Sequence, residues 1–147
     1  LRALGYKVYG CDLIQDRIDL ANKFGIEACH TKDLGKPEVD AVFMTSGADK
    51  ALDTAIKAVR AGGKILVFSS TPNNTGYPNN EIYYKELTVM GSYSPSPKDL
   101  EDSFNLLTSG RVNVKGLTTS YTLDRIQEAF DDTISNKIFK AYIKISE

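Results

Sequence analysis

Short apolar segments alternate with amphipathic segments along the first two thirds of the chain. Apolar-rich runs predict strands over 7–12, 27–31, 41–46, 64–70 and 87–93. Apolar stripes with helical spacing, each followed by glycine, predict helices over 15–24 and 50–61. The run AVFMTS at 41–46 is largely apolar, as expected for a strand buried on both faces of a parallel sheet. Helical crossovers between buried strands predict a doubly wound parallel α/β sheet.

The pattern changes after this region. The segment 71–84 is rich in Pro, Asn and Gly and is predicted to be a long loop. The sequence SPKD at 96–99 combines an N-cap, a proline and an acid, and it predicts a helix that ends at Gly110. Thr122 is predicted to cap a further helix. The closing run FKAYIKI at 139–145 alternates apolar and polar residues, which predicts a strand with one wet face in a different sheet.

Composition narrows the class of protein. The 147 residues are 41% hydrophobic and 25% charged, with a formal net charge of −1. An even mixture of charges does not favour nucleic acid or an anionic membrane as a partner. No apolar run reaches membrane-spanning length and no signal peptide is apparent, so we expect a cytoplasmic protein. Cys11 and Cys29 lie in predicted strands and are expected to be buried free thiols.

Asp12 ends the first predicted strand. In dinucleotide-binding folds, an acid at this position accepts hydrogen bonds from the adenosine ribose and disfavours the 2′-phosphate of NADP. The phosphate-binding glycine motif belongs about 20 residues earlier, which is before Leu1, so we expect the sequence to be a fragment. The alternative is that Asp12 merely caps the helix that follows. Spacing alone does not separate the two hypotheses.

Four long segments carry a family resemblance. They are ALGYKVYGCDLIQDRIDLANKFG, DAVFMTSGADKALDTAIKAVRAGGKILVFSS, ELTVMGSYSPSPKDLEDSFNLLTSGRV and LTTSYTLDRIQEAFDDTISNKIFKAYIKI. In this order they resemble the zinc-dependent medium-chain alcohol and polyol dehydrogenases, with the sorbitol and threonine dehydrogenase branch the most similar. No single motif identifies the family, but the four segments in this order cover nearly the whole chain.

The resemblance implies a fold and a set of cofactor contacts. Residues 1–97 would form part of an NAD-binding Rossmann domain that lacks its first strand and glycine motif. Residues 98–147 would return to a catalytic domain that this sequence does not contain. The missing strand would lie between the strands at 7–12 and 41–46. The residues implied to contact NAD are Asp12, Arg17, Ser46, Gly47, Val67, Phe68, Ser69, Ser92 and Tyr93.

The same resemblance implies hydride transfer from a secondary alcohol, such as a polyol, sugar alcohol or threonine-like compound, to NAD. Zinc would polarise the alcohol but would be bound in the absent N-terminal domain. Adjacent strand residues Cys29 and His30 point to opposite faces and cannot share a metal. We therefore expect neither a metal site nor a catalytic residue on this chain. Resemblance of 64–70 and 81–93 to the family's subunit contacts implies a homodimer or homotetramer.

Three alternatives remain from the sequence. One is a zinc-free relative of the quinone-reductase type that uses NADPH, which Asp12 disfavours. Another is a nucleotide-binding module without catalysis. The third is a methyltransferase-like domain, which the final run FKAYIKI fits poorly.

Overall fold

The structure is a computed structural model that describes residues 1–48, 50–70, 76 and 78–145. It divides the chain into two compact units, Leu1–Ser94 and Pro95–Glu147. Whether these units are a cofactor domain and a segment returning to another domain stays a prediction. The strands are β1 (Tyr9–Asp12), β2 (Glu27–His30), β3 (Val39–Met44), β4 (Val59–Val67), β5 (Thr88–Gly91), β6 (Thr119–Thr122) and β7 (Ala141–Lys144). The helices are α1 (Gln15–Lys23), α2 (Ala51–Ala58), α3 (Asn79–Tyr84), α4 (Pro97–Thr108) and α5 (Ile126–Ile134).

The first unit contains two parallel sheets. β1 pairs with β2, and β3, β4 and β5 form a second sheet in that order. The predicted parallel α/β fold is thereby confirmed. In the described part of the chain, no hydrogen-bonded pairing joins β1 to β3. β1 and β3 therefore belong to separate sheets, and the position of a missing strand stays a prediction.

One hydrophobic core holds the three-stranded sheet to its helices. Val59 and Ile65 are almost fully buried, and they pack with Ile56 of α2 and Leu87. The Lys85 ammonium donates hydrogen bonds to the carbonyls of Ile56 (2.6 Å) and Val59 (2.9 Å). A cation on the last carbonyls of a helix stabilises its C-terminus. Lys85 therefore ties the end of α2 to the segment that leads into β5.

The boundary between α2 and β4 differs from the prediction. The helix ends at Ala58, and β4 begins at Val59 rather than at residue 64. Gly62, with a φ of +68°, lies inside the strand where its register against β3 shifts. Left-handed φ values favour glycine. The pair of glycines therefore forms an irregularity within β4 instead of ending a helix, as we had predicted.

Two burial predictions were wrong. The row Phe43, Leu66 and Met90 crosses the three strands on the face opposite the core, with Phe43 45% and Met90 41% exposed. The helices α2 and α3 contribute to the core on the other face only, so these strands are not buried on both faces. Cys11 is free but exposed, and Cys29 is free and half-buried. Neither thiol is fully buried, since Cys11 shares the accessible side of a two-stranded sheet.

Other predictions concern the loop 71–84 and the elements of the C-terminal unit. α3 occupies the end of the predicted loop 71–84, of which 71–75 and 77 lie outside the described residues. α4 begins at the predicted cap, where Ser96 and Asp99 form a capping box. Thr122 ends β6, a strand not predicted, and its side chain caps nothing. As predicted, the closing strand lies in its own sheet, where β7 pairs in parallel with β6.

A polar network connects the elements of the second unit. The Tyr121 hydroxyl of β6 donates a 2.7 Å hydrogen bond to the buried Asp132 carboxylate of α5. The Lys137 ammonium donates to the other oxygen at 2.9 Å. Both contacts favour the charged carboxylate.

No helix in the described ranges is long and apolar enough to cross a membrane.

Candidate functional site

Asp12 uses its two carboxylate oxygens differently. Oδ1 accepts hydrogen bonds from the backbone N–H groups of Leu13 (2.7 Å) and Ile14 (3.0 Å). Arg17, in the first turn region of α1, places Nη1 3.8 Å from Oδ2. Local stabilisation of the turn into α1 is therefore real. Because it engages only Oδ1, it is compatible with a ligand at Oδ2, and the two hypotheses for Asp12 are not exclusive.

His30 lies beside Asp12. The two residues are register partners at the carboxyl ends of β1 and β2, so their side chains leave the sheet on the same face. His30 Nδ1 accepts a hydrogen bond from the Lys32 N–H at 3.2 Å, which leaves the proton of the neutral ring on Nε2. The sequence analysis considered His30 only as a metal ligand and did not place it beside Asp12. No local sequence signal gave this pairing, because it depends on the register of β1 with β2.

A second group of predicted residues gathers where β3 and β4 end. Gly47 lies so close to the segment after β4 that a Cβ there would come within 2.3 Å of the Ser70 carbonyl oxygen. Real Cβ atoms do not approach backbone oxygens so closely, so only glycine fits. The Phe68 N–H donates to the Met44 carbonyl at 3.0 Å, which holds the two strand ends side by side. The Ala48 N–H donates to Ser46 Oγ at 3.3 Å.

The third strand extends this edge. The Ser92 N–H donates to the Val67 carbonyl at 3.0 Å, so Ser92 lies beside the end of β4. Val67 and Ser69 are half-buried, whereas Phe68 is 62% exposed. Tyr93, which the resemblance implies as a contact of NAD, is 97% exposed. The predicted residues of β3, β4 and β5 thus line one sheet edge, where parallel α/β folds bind ligands.

The two groups belong to different sheets. Asp12 and Arg17 lie at the end of the two-stranded sheet, and the other predicted contacts lie at the end of the three-stranded sheet. In both sheets the residues stand at the carboxyl ends of parallel strands, the end at which a dinucleotide binds. The role of each residue in cofactor binding stays a prediction.

The described residues do not fit zinc. Among them, no group of three or more His, Cys, Asp or Glu side chains could hold a metal ion. A protein zinc site needs about three such ligands at least. The described residues therefore do not form a zinc site by themselves.

Comparison with known proteins identifies the family. Residues 1–109 match the family described as zinc-binding dehydrogenase. This chain belongs to the zinc-binding dehydrogenase family. Sorbitol dehydrogenase 1 of Saccharomyces cerevisiae is 35% identical over 104 residues, which are 70% of this chain and 29% of the yeast protein. A probable D-xylulose reductase A of Aspergillus clavatus is 29% identical over 160 aligned positions, covering 97% of this chain and 44% of that protein.

Solved structures of other dehydrogenases share the fold. An Escherichia coli oxidoreductase/dehydrogenase of unknown specificity is 26% identical with a TM-score of 0.84, over 99% of this chain and 46% of that one. L-Idonate 5-dehydrogenase of E. coli aligns over 98% of this chain and 44% of its own, with a TM-score of 0.85. At 17% identity this second match shows the fold alone. The chain spans less than half the length of each relative.

Proposed function

We propose that this chain forms the cofactor-binding part of an NAD-dependent alcohol dehydrogenase. The observation that carries the proposal is the Asp12 carboxylate at the end of β1, whose Oδ1 is held by two backbone N–H groups. A carboxylate fixed in this way accepts hydrogen bonds from ribose hydroxyls through its other oxygen. It also repels the 2′-phosphate of NADP. The cofactor is therefore NAD.

Two neighbours of Asp12 complete this end of the proposed site. Arg17 lies 3.8 Å from Oδ2 and can stack on or donate to the adenosine as the carboxylate engages the ribose. It also offsets part of the carboxylate's charge when the negatively charged dinucleotide arrives. Hydrogen bonds to an ionised acceptor contribute more than neutral ones, which supports Asp12 as the main contact.

The sheet edge at β3, β4 and β5 receives the nicotinamide half in this proposal. Ser46 and Gly47 are small, so they leave room for the cofactor to pass the end of β3. Val67, Phe68 and Ser69 offer main-chain groups at the end of β4, with Ser92 and Tyr93 beside them. When bound, NAD supplies the hydride chemistry, and the protein's task is to orient it.

The proposal also concerns the alcohol substrate and the catalytic zinc. Relatives named sorbitol dehydrogenase and D-xylulose reductase support a polyol or similar secondary alcohol as the substrate. The described residues provide no zinc cluster, so this proposal places the ligands of a catalytic zinc outside the described residues. We assign no catalytic residue to this chain.

We also propose that the protein assembles as a homodimer or homotetramer through β5. Among the described residues this strand pairs with β4 alone, and all four of its own residues are exposed. Tyr83 and Tyr84 on the preceding helix are 72% and 79% exposed and stack edge to face. An open edge is a template for pairing with another chain, and exposed tyrosines are enriched at interfaces.

The proposal is tested with the full-length protein that contains this chain. Intrinsic fluorescence quenching gives the Kd of NADH and NADPH, and absorbance at the nicotinamide band follows the oxidation of sorbitol or xylitol. Tighter binding of NADH than NADPH together with polyol oxidation supports the proposal. A protein that prefers NADPH and reduces quinones contradicts it.

A further inference from the structure

Cys11 and Cys29, the two cysteines of the chain, face each other across neighbouring strands. They are register partners in the parallel pairing of β1 with β2. Register partners in parallel strands project their side chains to the same face. Both thiols are free, with Cys11 exposed and Cys29 half-buried. The pair is therefore accessible to a small reagent from the solvent.

The spacing of such a pair suits a covalent link. Neighbouring strands lie about 4.8 Å apart, and disulfide-bonded cysteines have Cα separations of about 4.4–6.8 Å. Partial desolvation raises the pKa of the Cys11 thiol, and the charge of the nearby Cys29 adds to the rise. The mutual effect agrees with the closeness that the register implies. Because the thiolate is the reacting form, the raised pKa makes oxidation of Cys11 slow at neutral pH and faster as the pH rises.

We propose that Cys11 and Cys29 form an oxidisable dithiol that closes to a disulfide on reaction with a hydroperoxide. The Cys11 thiolate attacks the terminal peroxide oxygen, becomes a sulfenic acid and releases water or an alcohol. The Cys29 thiol then attacks that sulfur, and the sulfenic oxygen departs as water. In total two electrons and two protons pass to the peroxide. The new bond links β1 to β2 at the residues just before Asp12 and His30.

Peptide mapping tests this directly on the full-length protein. Trypsin cuts after Lys7, Arg17, Lys23 and Lys32, so the two thiols fall in separate peptides, VYGCDLIQDR and FGIEACHTK. The native protein is treated with hydrogen peroxide, alkylated without reduction, digested and analysed by mass spectrometry. We expect a species two hydrogen masses below the sum of the two peptides, which disappears on treatment with dithiothreitol. The mapping reports on these two peptides even if the full-length protein contains other cysteines.

Two controls separate a folded pair from chance oxidation. Cys11→Ser and Cys29→Ser must each abolish the linked species, and oxidation in concentrated urea must reduce its yield several-fold. The inference is overturned if the native protein yields the two peptides separately alkylated, overoxidised or linked to other cysteines. Because the readout needs no cofactor, this result is independent of whether the protein binds NAD.

Discussion

Arg17 and Asp12 form an ion pair at the start of α1, with Nη1 3.8 Å from Oδ2. The other oxygen of Asp12, Oδ1, is engaged by the N–H groups of Leu13 and Ile14. One oxygen of the carboxylate therefore stabilises the turn, and the other lies near the Arg17 guanidinium. An acid that only capped the turn would need no charge, whereas one that selects NAD needs it.

Asp12→Asn separates these two roles. The amide oxygen can still accept from Leu13 and Ile14, so the turn is retained, but the negative charge is lost. We expect the Kd of NAD to rise by about tenfold to a hundredfold, as for loss of charge-assisted hydrogen bonds. The Kd of NADP should rise less or fall, because repulsion of the 2′-phosphate is removed. Calorimetric titration of the wild type and the variant with both cofactors measures the change.

The approach of Gly47 to Ser70 predicts a severe effect of a single methyl group. In Gly47→Ala the new Cβ would lie 2.3 Å from a backbone oxygen, so the ends of β3 and β4 must separate. We expect a loss of about 1–3 kcal/mol in the free energy of unfolding and weaker NADH binding. Gly91→Ala is the matched control, since a Cβ there meets nothing within 4 Å. Equal thermal stability of the two variants would argue against a tight contact.

The assembly proposal can be tested at one backbone N–H. The Ser92 N–H points to β4. Because successive backbone N–H groups of a strand point to alternate sides, those of residues 88 and 90 also point to β4. The N–H of Val89 then points to the open edge. Val89→Pro removes only the outward donor. We expect analytical ultracentrifugation to show dissociation of this variant, whereas Val89→Thr, which keeps the N–H, remains assembled. Unchanged assembly of Val89→Pro excludes β5 pairing as the interface.

Asp132 makes the stability of the second unit depend on pH. The hydrogen bond from Tyr121, followed by that from Lys137, lowers the pKa of Asp132. A lowered folded pKa gives stability that is present above the unfolded value of about 3.9 and is lost as the pH falls through the folded value. Tyr121→Phe should therefore unfold at lower temperature near pH 7, with the difference from wild type shrinking in acid. A difference that stays constant down to pH 2 would contradict this assignment.

Local signals with a direct physical cause were predictable from the sequence. The capping box of Ser96 and Asp99 was visible as SPKD, and it begins α4 where expected. The apolar stripe that includes Ile18 was visible as well, and α1 buries that residue. Asp12 was identified because an acid at a strand end has a specific use in cofactor binding.

Other features depend on contacts that a local pattern does not contain. Val59 satisfies the helical stripe of α2, but pairing with Val39 draws it into β4. Phe43 lies on the face of the sheet opposite the core, and its burial depends on what packs against that face. The described residues leave Phe43 45% exposed. The pairing of Asp12 with His30 depends on the register of β1 with β2, which the two runs examined separately do not reveal.

The most direct test of the central claim is the ratio of the Kd values of NADPH and NADH for the full-length protein, measured by fluorescence titration. If Asp12 selects the cofactor through its charge, NADH binds at least about tenfold more tightly, a difference of about 1.4 kcal/mol. Asp12→Asn should bring that ratio close to one. A wild-type protein that binds NADPH as tightly as NADH, or binds neither, would contradict the account.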